Sequence, residues 1–530
     1  MKLSKTRTAV LFVSLLSSAV PVFARPSLII VLVIDGLRPD SITPDIAPNL
    51  ARLKTEGVSY NHAHSVYPTV TRVNSTSIST GAMPSSHGIV GNSLYIPKIS
   101  PKVLNTADYL SLLKLGDLNR GRVIPLTTLG EELERNGIRY VALGSGSTGA
   151  ALLLNHLAPS GKGSLINPGF EGGKRVAFPD ALNTEILFRV PPVKELNENT
   201  GLVWTERVLR EYVLTEMRPQ VIVDWMSPTD GAQHAHGVGS PEAVAALRLV
   251  DRQIGLLQEK LAQLGLKDKT DIIVTCDHGF DYEPPADVLA PLKVAGVDGN
   301  EVVVDNEGGG SLLYVKGHDP EKIQRLAEAF QRSDKTNVIF VAARRPERGT
   351  FQCNADATKG WLPGTFALDL AYQCLPAHGP DLIVTFHWDK SPNPFGVPGT
   401  QWVPGNAASG QPAHNGHGGL NPWAVRSTLL LSGPDFRHRA TSDTPAGNQD
   451  IAPTVLSLEG QRIPDSMQGR ILAEAMQKAE GSAAPAARTR RLEVSRGDYC
   501  AAIEVSSIGK QRYLDYGSRC ADPVPSLTGK

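Results

Sequence analysis

The chain has 530 residues, 41% of them hydrophobic and 20% charged, which is enough to bury a large core and excludes an intrinsically disordered polymer. Its 53 basic and 53 acidic residues cancel, which excludes a general charge excess for gripping nucleic acid or an anionic membrane. Any recognition of an anion therefore falls to a local site, and no sequence-specific nucleic-acid partner is expected.

Residues 1–24 read as a unit, with Lys2, Lys5 and Arg7, an apolar run over 9–20, and small residues up to Ala24. This is the pattern of a secretory signal peptide cleaved after Ala24, since the apolar run is shorter than the ~20 residues that span a bilayer. The expected location is periplasmic or secreted, and no transmembrane segment is expected.

From residue 28 onwards, β-branched apolar runs alternate with helical patterns, the signature of a mostly parallel α/β sheet flanked by helices. Strands are expected at 28–34, 139–143, 221–225, 271–275, 381–386 and 428–431. A short helix is expected from Thr71 to Thr80, ended by Gly81. A longer one follows Ser240-Pro241, where Leu247, Val250, Ile254, Leu257, Leu261 and Leu264 recur at helical spacing before Gly265. The catalytic domain is expected over 25–479, with an inserted α/β lobe at about 282–410. The Ala/Gly/Ser/Pro-rich stretch 480–490 reads as a linker, and 491–530 as a small disulfide-tied β appendage.

Of the five cysteines, Cys353 lies near Cys374 and Cys500 near Cys520, leaving Cys276 over in an apolar strand pattern. Spacing alone leaves the connectivity open. Two local disulfides are the expectation, each contributing roughly 3 kcal/mol in the chain-entropy view.

Several acids and histidines follow the expected strands directly: Asp35 after the first, Asp230 after the third, and Asp277-His278 after the fourth. In open α/β sheets, the carboxyl ends of the strands form the ligand crevice. Asp230 and His234 are four residues apart, and His417 lies in His414-Asn-Gly-His-Gly. Imidazoles and carboxylates in this combination suit a pair of zinc ions, which can activate a nucleophile and clamp a phosphoryl group.

Further matches are Ile34-Asp35-Gly36 with Arg38-Pro39, Tyr67-Pro-Thr-Val-Thr71, Ser79-Thr-Gly81, and His87-Gly-Ile-Val-Gly-Asn92. Together with Asp230…His234, Asp277-His278-Gly279, His417-Gly418 and Asp450-Ile-Ala-Pro-Thr-Val-Leu, they resemble the alkaline phosphatase superfamily. Within it they resemble the nucleotide pyrophosphatase/phosphodiesterase family, in family order over about residues 27–475. The resemblance implies two Zn2+ ions per chain. One would be held by Asp230, His234 and His417, the other by Asp35, Asp277 and His278 with the Thr71 oxygen. It also implies attack by Thr71 through a phosphothreonine, with Asn92 donating to a phosphate oxygen of a small phosphodiester or nucleotide-like substrate.

Thr69 is the rival nucleophile and His414 the rival ligand. Arg72 departs from the family's usual aromatic residue after the threonine, and a role in binding a second negative group of the substrate competes with a plain surface role. Gln233 stands where glycine is usual, and the Tyr-Asp-Asn that often follows the last His-Gly is absent. The alternatives are a phosphomonoesterase or phosphonoacetate hydrolase of the same superfamily and, remotely, a non-catalytic metal-stabilised binding protein.

Overall fold

The computed structural model describes residues 28–169, 176–347, 350, 352–405, 414–479 and 484–522. The expected signal peptide lies outside the described residues.

Seven consecutive apolar residues form the strand Leu28–Ile34, and all are buried. Ile29, Val31 and Val33 enter one core, while Leu28, Ile30, Leu32 and Ile34 enter a second on the opposite face. A strand covered on both faces needs no polar alternation, which is why this one reads as a continuous hydrophobic run. It pairs in parallel with Thr270–Thr275 on one side and Val221–Met226 on the other.

The central sheet has nine strands. Beyond Val221–Met226 lie Tyr140–Gly144 and Ser164–Asn167, both parallel, and then the antiparallel edge Val176–Phe178. Beyond Thr270–Thr275 lie Leu429–Ser432, Val58–Tyr60 and Ala440–Ser442, and the first of these runs antiparallel. Because the three inner strands point the same way, the segments after Ile34, Met226 and Thr275 emerge side by side at one edge.

The strand expected at 381–386 belongs elsewhere. Leu382–Phe386 is the middle strand of a separate five-stranded sheet with Val302–Asn306, Gly310–Val315, Thr336–Val341 and Phe366–Ala367. An apolar run reads alike in either sheet, since periodicity reports burial and not partner. The helix Pro320–Gln331 packs its Ile323, Leu326 and Phe330 inward beside this sheet. A four-stranded sheet, containing Asp281–Glu283 and His414–Gly416, lies next to the crevice.

The carboxyl-terminal segment forms three antiparallel strands, Ala487–Arg496, Tyr499–Ile508 and Gln511–Arg519. The first begins inside the stretch read as a linker, of which residues 480–483 lie outside the described residues. Bonds tie this sheet to both bodies: Tyr499 Oη donates to Asn337 O at 2.7 Å, and Gly517 N to Leu420 O at 2.7 Å. Cys353–Cys374 and Cys500–Cys520 are bonded, and Cys276 is free and buried. Among the described residues, no helix is long and apolar enough to cross a membrane.

Candidate active site

Asp35 follows the central strand, and its backbone N–H donates to Met226 O at 2.9 Å. Gly36 then turns with φ +68°, so its own N–H reaches Asp277 Oδ1 at 3.1 Å. Two strand ends are thereby tied together at the first turn. The helix Pro228–His236 starts just past Met226 and carries Asp230 and His234 one turn apart on the same face.

The three histidines are oriented alike. His234 Nδ1 bonds Asn415 O at 2.7 Å, His278 Nδ1 bonds Gly279 O at 3.0 Å, and His417 Nδ1 bonds Thr69 O at 3.0 Å. A backbone carbonyl requires Nδ1 to carry a proton, so Nε2 is the ring atom each histidine turns to the acids and the one that could bind a cation once deprotonated. His278 Nε2 lies 3.0 Å from Asp277 Oδ2 and 3.6 Å from Asp35 Oδ1. Asp230 Oδ1 lies 3.4 Å from His234 Nε2 and 3.8 Å from His417 Nε2. The His278 and His417 rings stack with centroids 3.5 Å apart.

Two overlapping groups have donor atoms all within 4.8 Å of one another: Asp35, Asp277 and His278, and Asp230, His278 and His417. His234 stands at the outer flank of Asp230 with its side chain 42% exposed, so His278 completes the second compact group in its stead.

Burial, and then the charges of Asp277 and Asp230, push the Asp35 carboxyl well above its usual range. Burial alone would lower His278 and His234, but Asp277 raises the first and Asp230 raises the second to about 9. Burial, with His278 beside it, depresses His417. Acids and imidazoles crowded in this way favour a dication among them, which would relieve the repulsion between the carboxylates. Their geometry fits one: Asp35 Oδ1, Asp230 Oδ1 and Asp277 Oδ2 are buried oxygens without a hydrogen-bond donor. Such oxygens are costly unless something positive meets them.

Thr71 opens the helix Thr71–Thr80, which is almost wholly buried although rich in Ser and Thr. Its hydroxyls are spent on neighbours, with Ser75 Oγ donating to Ala150 O and Ser79 Oγ to Leu153 O, both at 2.8 Å. Gly81, at φ +60°, ends it with its N–H on Ser77 O. Thr71 Oγ1 lies 3.3 Å from His278 Nε2, at the compact groups of donors. Thr69 is turned away, donating to Gly419 O and accepting from Gly418 N. His414 is exposed, whereas His417 is only 9% accessible. Arg38 holds the first loop, bonding Phe280 O, Pro398 O and Asp40.

Asn92 Oδ1 accepts the N–H of Arg72 at 3.0 Å, which brings it to the start of the same helix and leaves its Nδ2 for another partner. Arg72 is half-buried beside Thr71.

Sequence reasoning missed the residues that hold these groups. Trp225 Nε1 donates to Asp35 Oδ2 at 2.8 Å, and Thr229 Oγ1 donates to Asp35 O. Asn448 Nδ2 bonds Asn74 Oδ1 at 3.0 Å as well as the carbonyls of Cys276 and Asp277, joining the Thr71 helix to the His278 segment. Glu307 accepts from the N–H groups of Asn92 and Ser93. Asn448, two residues before the matched Asp450, offered a faint signal, and Glu307 ahead of three glycines another.

A nine-stranded, mostly parallel sheet with this site at its strand ends defines an alkaline-phosphatase-like α/β protein. The solved structure of murine ectonucleotide pyrophosphatase/phosphodiesterase 5 is similar to it with a TM-score of 0.56 at 17% identity, over 82% of this chain and 96% of that one. The sequence matches the type I phosphodiesterase/nucleotide pyrophosphatase family over residues 29–389, and the chain belongs to that family, within the alkaline phosphatase superfamily. Ectonucleotide pyrophosphatase/phosphodiesterase family member 1 of Mus musculus is 26% identical over 47% of this chain and 23% of its own length. Member 3 of Rattus norvegicus is 28% identical over 48% and 25%, and venom phosphodiesterase 2 of Crotalus adamanteus 26% identical over 49% and 28%. The chain thus spans about a quarter of the length of these curated relatives.

Proposed function

We propose that this chain is an exported hydrolase of phosphodiester or pyrophosphate bonds that holds two zinc ions and uses Thr71 as its nucleophile. The observation that carries the proposal is the Thr71 hydroxyl, 3.3 Å from His278 Nε2 at the head of a buried helix and against the clustered acids and imidazoles. The names of the relatives support the bond type. The murine protein was also solved as an inactive variant, a threonine replaced by alanine, in complex with AMP, which supports a nucleotide-like substrate. Export is supported by the signal-peptide pattern and the two disulfides.

Asp230, His234 and His417 would hold one ion, and Asp35, Asp277, His278 and the Thr71 oxygen the other. When bound, the ions supply positive charge that lowers the pKa of the threonine hydroxyl and balances charge on the phosphoryl oxygens. The helix start fixes Thr71 Oγ1, and the positive end of the helix favours a phosphate in front of it, although the Arg72 N–H of its first turn is already held by Asn92 Oδ1. The bond from Oγ1 to phosphorus forms as the bond to the leaving oxygen breaks, giving a phosphothreonine. Asn92 Nδ2 donates to a phosphoryl oxygen as charge gathers there. Water then cleaves the Oγ1–phosphorus bond and restores the hydroxyl.

Metal analysis of the purified protein, combined with turnover of bis-p-nitrophenyl phosphate and p-nitrophenyl phosphate, tests this. The expected result is about two zinc ions per chain, loss of activity on chelation with recovery on adding zinc, and faster turnover of the diester. Full activity after complete chelation contradicts the metal site, and faster turnover of the monoester reassigns the protein as a phosphomonoesterase.

A further inference from the structure

We infer that Glu307, supplied by the inserted lobe, is the positioning residue that aims Asn92 at the reacting phosphoryl group, an inference that rests on the proposed phosphoryl transfer to Thr71. Glu307 is 4% exposed and follows the strand Val302–Asn306. Its carboxylate spans two successive peptide N–H groups, with Oε2 accepting from Asn92 at 2.9 Å and Oε1 from Ser93 at 3.2 Å. A buried carboxyl that accepts from two successive peptide N–H groups fixes the loop in one conformation.

The loop is pinned from its other side as well. Asn92 O accepts from Thr106 Oγ1 at 2.5 Å, and Asn92 Oδ1 accepts from Arg72 N. Backbone N–H, backbone carbonyl and side-chain oxygen are each held, so the direction of Nδ2 follows from theirs. Close packing leaves little room for another arrangement: a Cβ on Gly91 would lie 2.3 Å from Glu307 Oε1.

Glu307 is itself locked to the metal-facing segment. Its N–H bonds Gly310 O at 2.9 Å, and Gly309 N bonds His417 O at 3.2 Å. A Cβ on Gly418, where φ is +94°, would lie 1.6 Å from Glu307 O. One glycine turn of the inserted lobe therefore contacts both the His417 segment and the Asn92 loop. It sets the spacing between a metal-facing imidazole and the amide that meets the phosphoryl oxygen. A residue acting this way changes the transition state more than substrate binding, because the Asn92 bond strengthens as charge develops.

A double-mutant cycle tests it on the zinc-loaded full chain with bis-p-nitrophenyl phosphate. Glu307→Gln keeps the size of the side chain but replaces one acceptor oxygen with an amino group, so it no longer serves both N–H groups. Expected is a fall in kcat of about ten- to hundredfold with KM changed less than about threefold. In an Asn92→Ala background, the same change is expected to cost less than about threefold, because the group being aimed is gone. Losses that multiply in the double variant, or a rise in KM that accounts for the whole effect, overturn the inference. If Glu307→Gln lacks a cooperative thermal transition, Glu307→Asp, one methylene shorter, takes its place in the cycle with the same two outcomes. Thr71→Ala run alongside separates the failures: intact activity there rejects the proposed chemistry, whereas abolished activity with a multiplicative cycle rejects only the role of Glu307.

Discussion

A threonine hydroxyl is a weak nucleophile at neutral pH, so the role proposed for Thr71 needs it both oriented and activated. Orientation is visible in the side chains below it: Asn74 holds Val66 N and Val66 O, and Asn448 links Asn74 to the Cys276–Asp277 backbone. The acids, imidazoles and threonine that the fold brings together were legible in the sequence because their types are few and their order along the chain is distinctive. Those that hold them were not, because Trp225, Thr229, Asn448 and Glu307 act across 171 or more positions through ordinary hydrogen bonds. Arg72 is the residue we propose as a discriminator between substrates. If its guanidinium meets a second negative group, Arg72→Ala lowers kcat/KM about tenfold or more on a diester bearing an extra carboxylate or phosphate and little on a neutral one. Equal losses on both would remove it from substrate binding.

The helix Thr71–Thr80 illustrates how far tertiary contacts override propensity at the scale of an element. Its Ser, Thr and Asn residues favour caps and turns, yet hydroxyl bonds to the neighbouring helix Thr148–Leu154 and back to its own carbonyls, such as Thr80 Oγ1 to Thr76 O at 2.7 Å, hold it together. Its end is specified by Gly81, where an added Cβ would lie 3.0 Å from Pro453 Cδ in a left-handed conformation. Gly81→Ala is expected to destabilise the protein by about 1–2 kcal/mol in denaturant unfolding, and an unchanged midpoint would contradict this reading. A second element carries a pH signature. Glu131 closes the capping box of Leu129–Arg135, and although burial alone would raise its carboxyl, bonds from His156 and Arg122 hold it at about 2. A depressed folded pKa contributes stability that is complete above the unfolded value of about 4.3 and is lost as pH falls through the folded value. Glu131→Gln should therefore cost more stability at pH 7 than at pH 3, and an equal cost at both would exclude the ion-pair account.

At the scale of the molecule, the parallel core was legible because strands buried on both faces read as unbroken apolar runs, and Leu28–Ile34 is one. The strand Leu382–Phe386 was assigned to the wrong sheet for the same reason, since its five buried residues look no different from those of the core. The carboxyl-terminal sheet was harder still. Its contacts, such as His64 Nε2 to Asp515 Oδ1 at 2.8 Å and Trp388 Nε1 to Gly517 O at 2.7 Å, connect it to the core and the inserted lobe together, which no local pattern announces. It is thus a brace between two bodies, close to the Gly418–Leu420 segment that follows His417. The claim at the centre of this account is a metal-activated threonine. The measurement that tests it most directly is turnover of bis-p-nitrophenyl phosphate by Thr71→Ala at a bound zinc content equal to that of the unaltered protein. The account predicts a fall in kcat of at least about a thousandfold with the metal retained. A rate within a fewfold of the unaltered protein would contradict it.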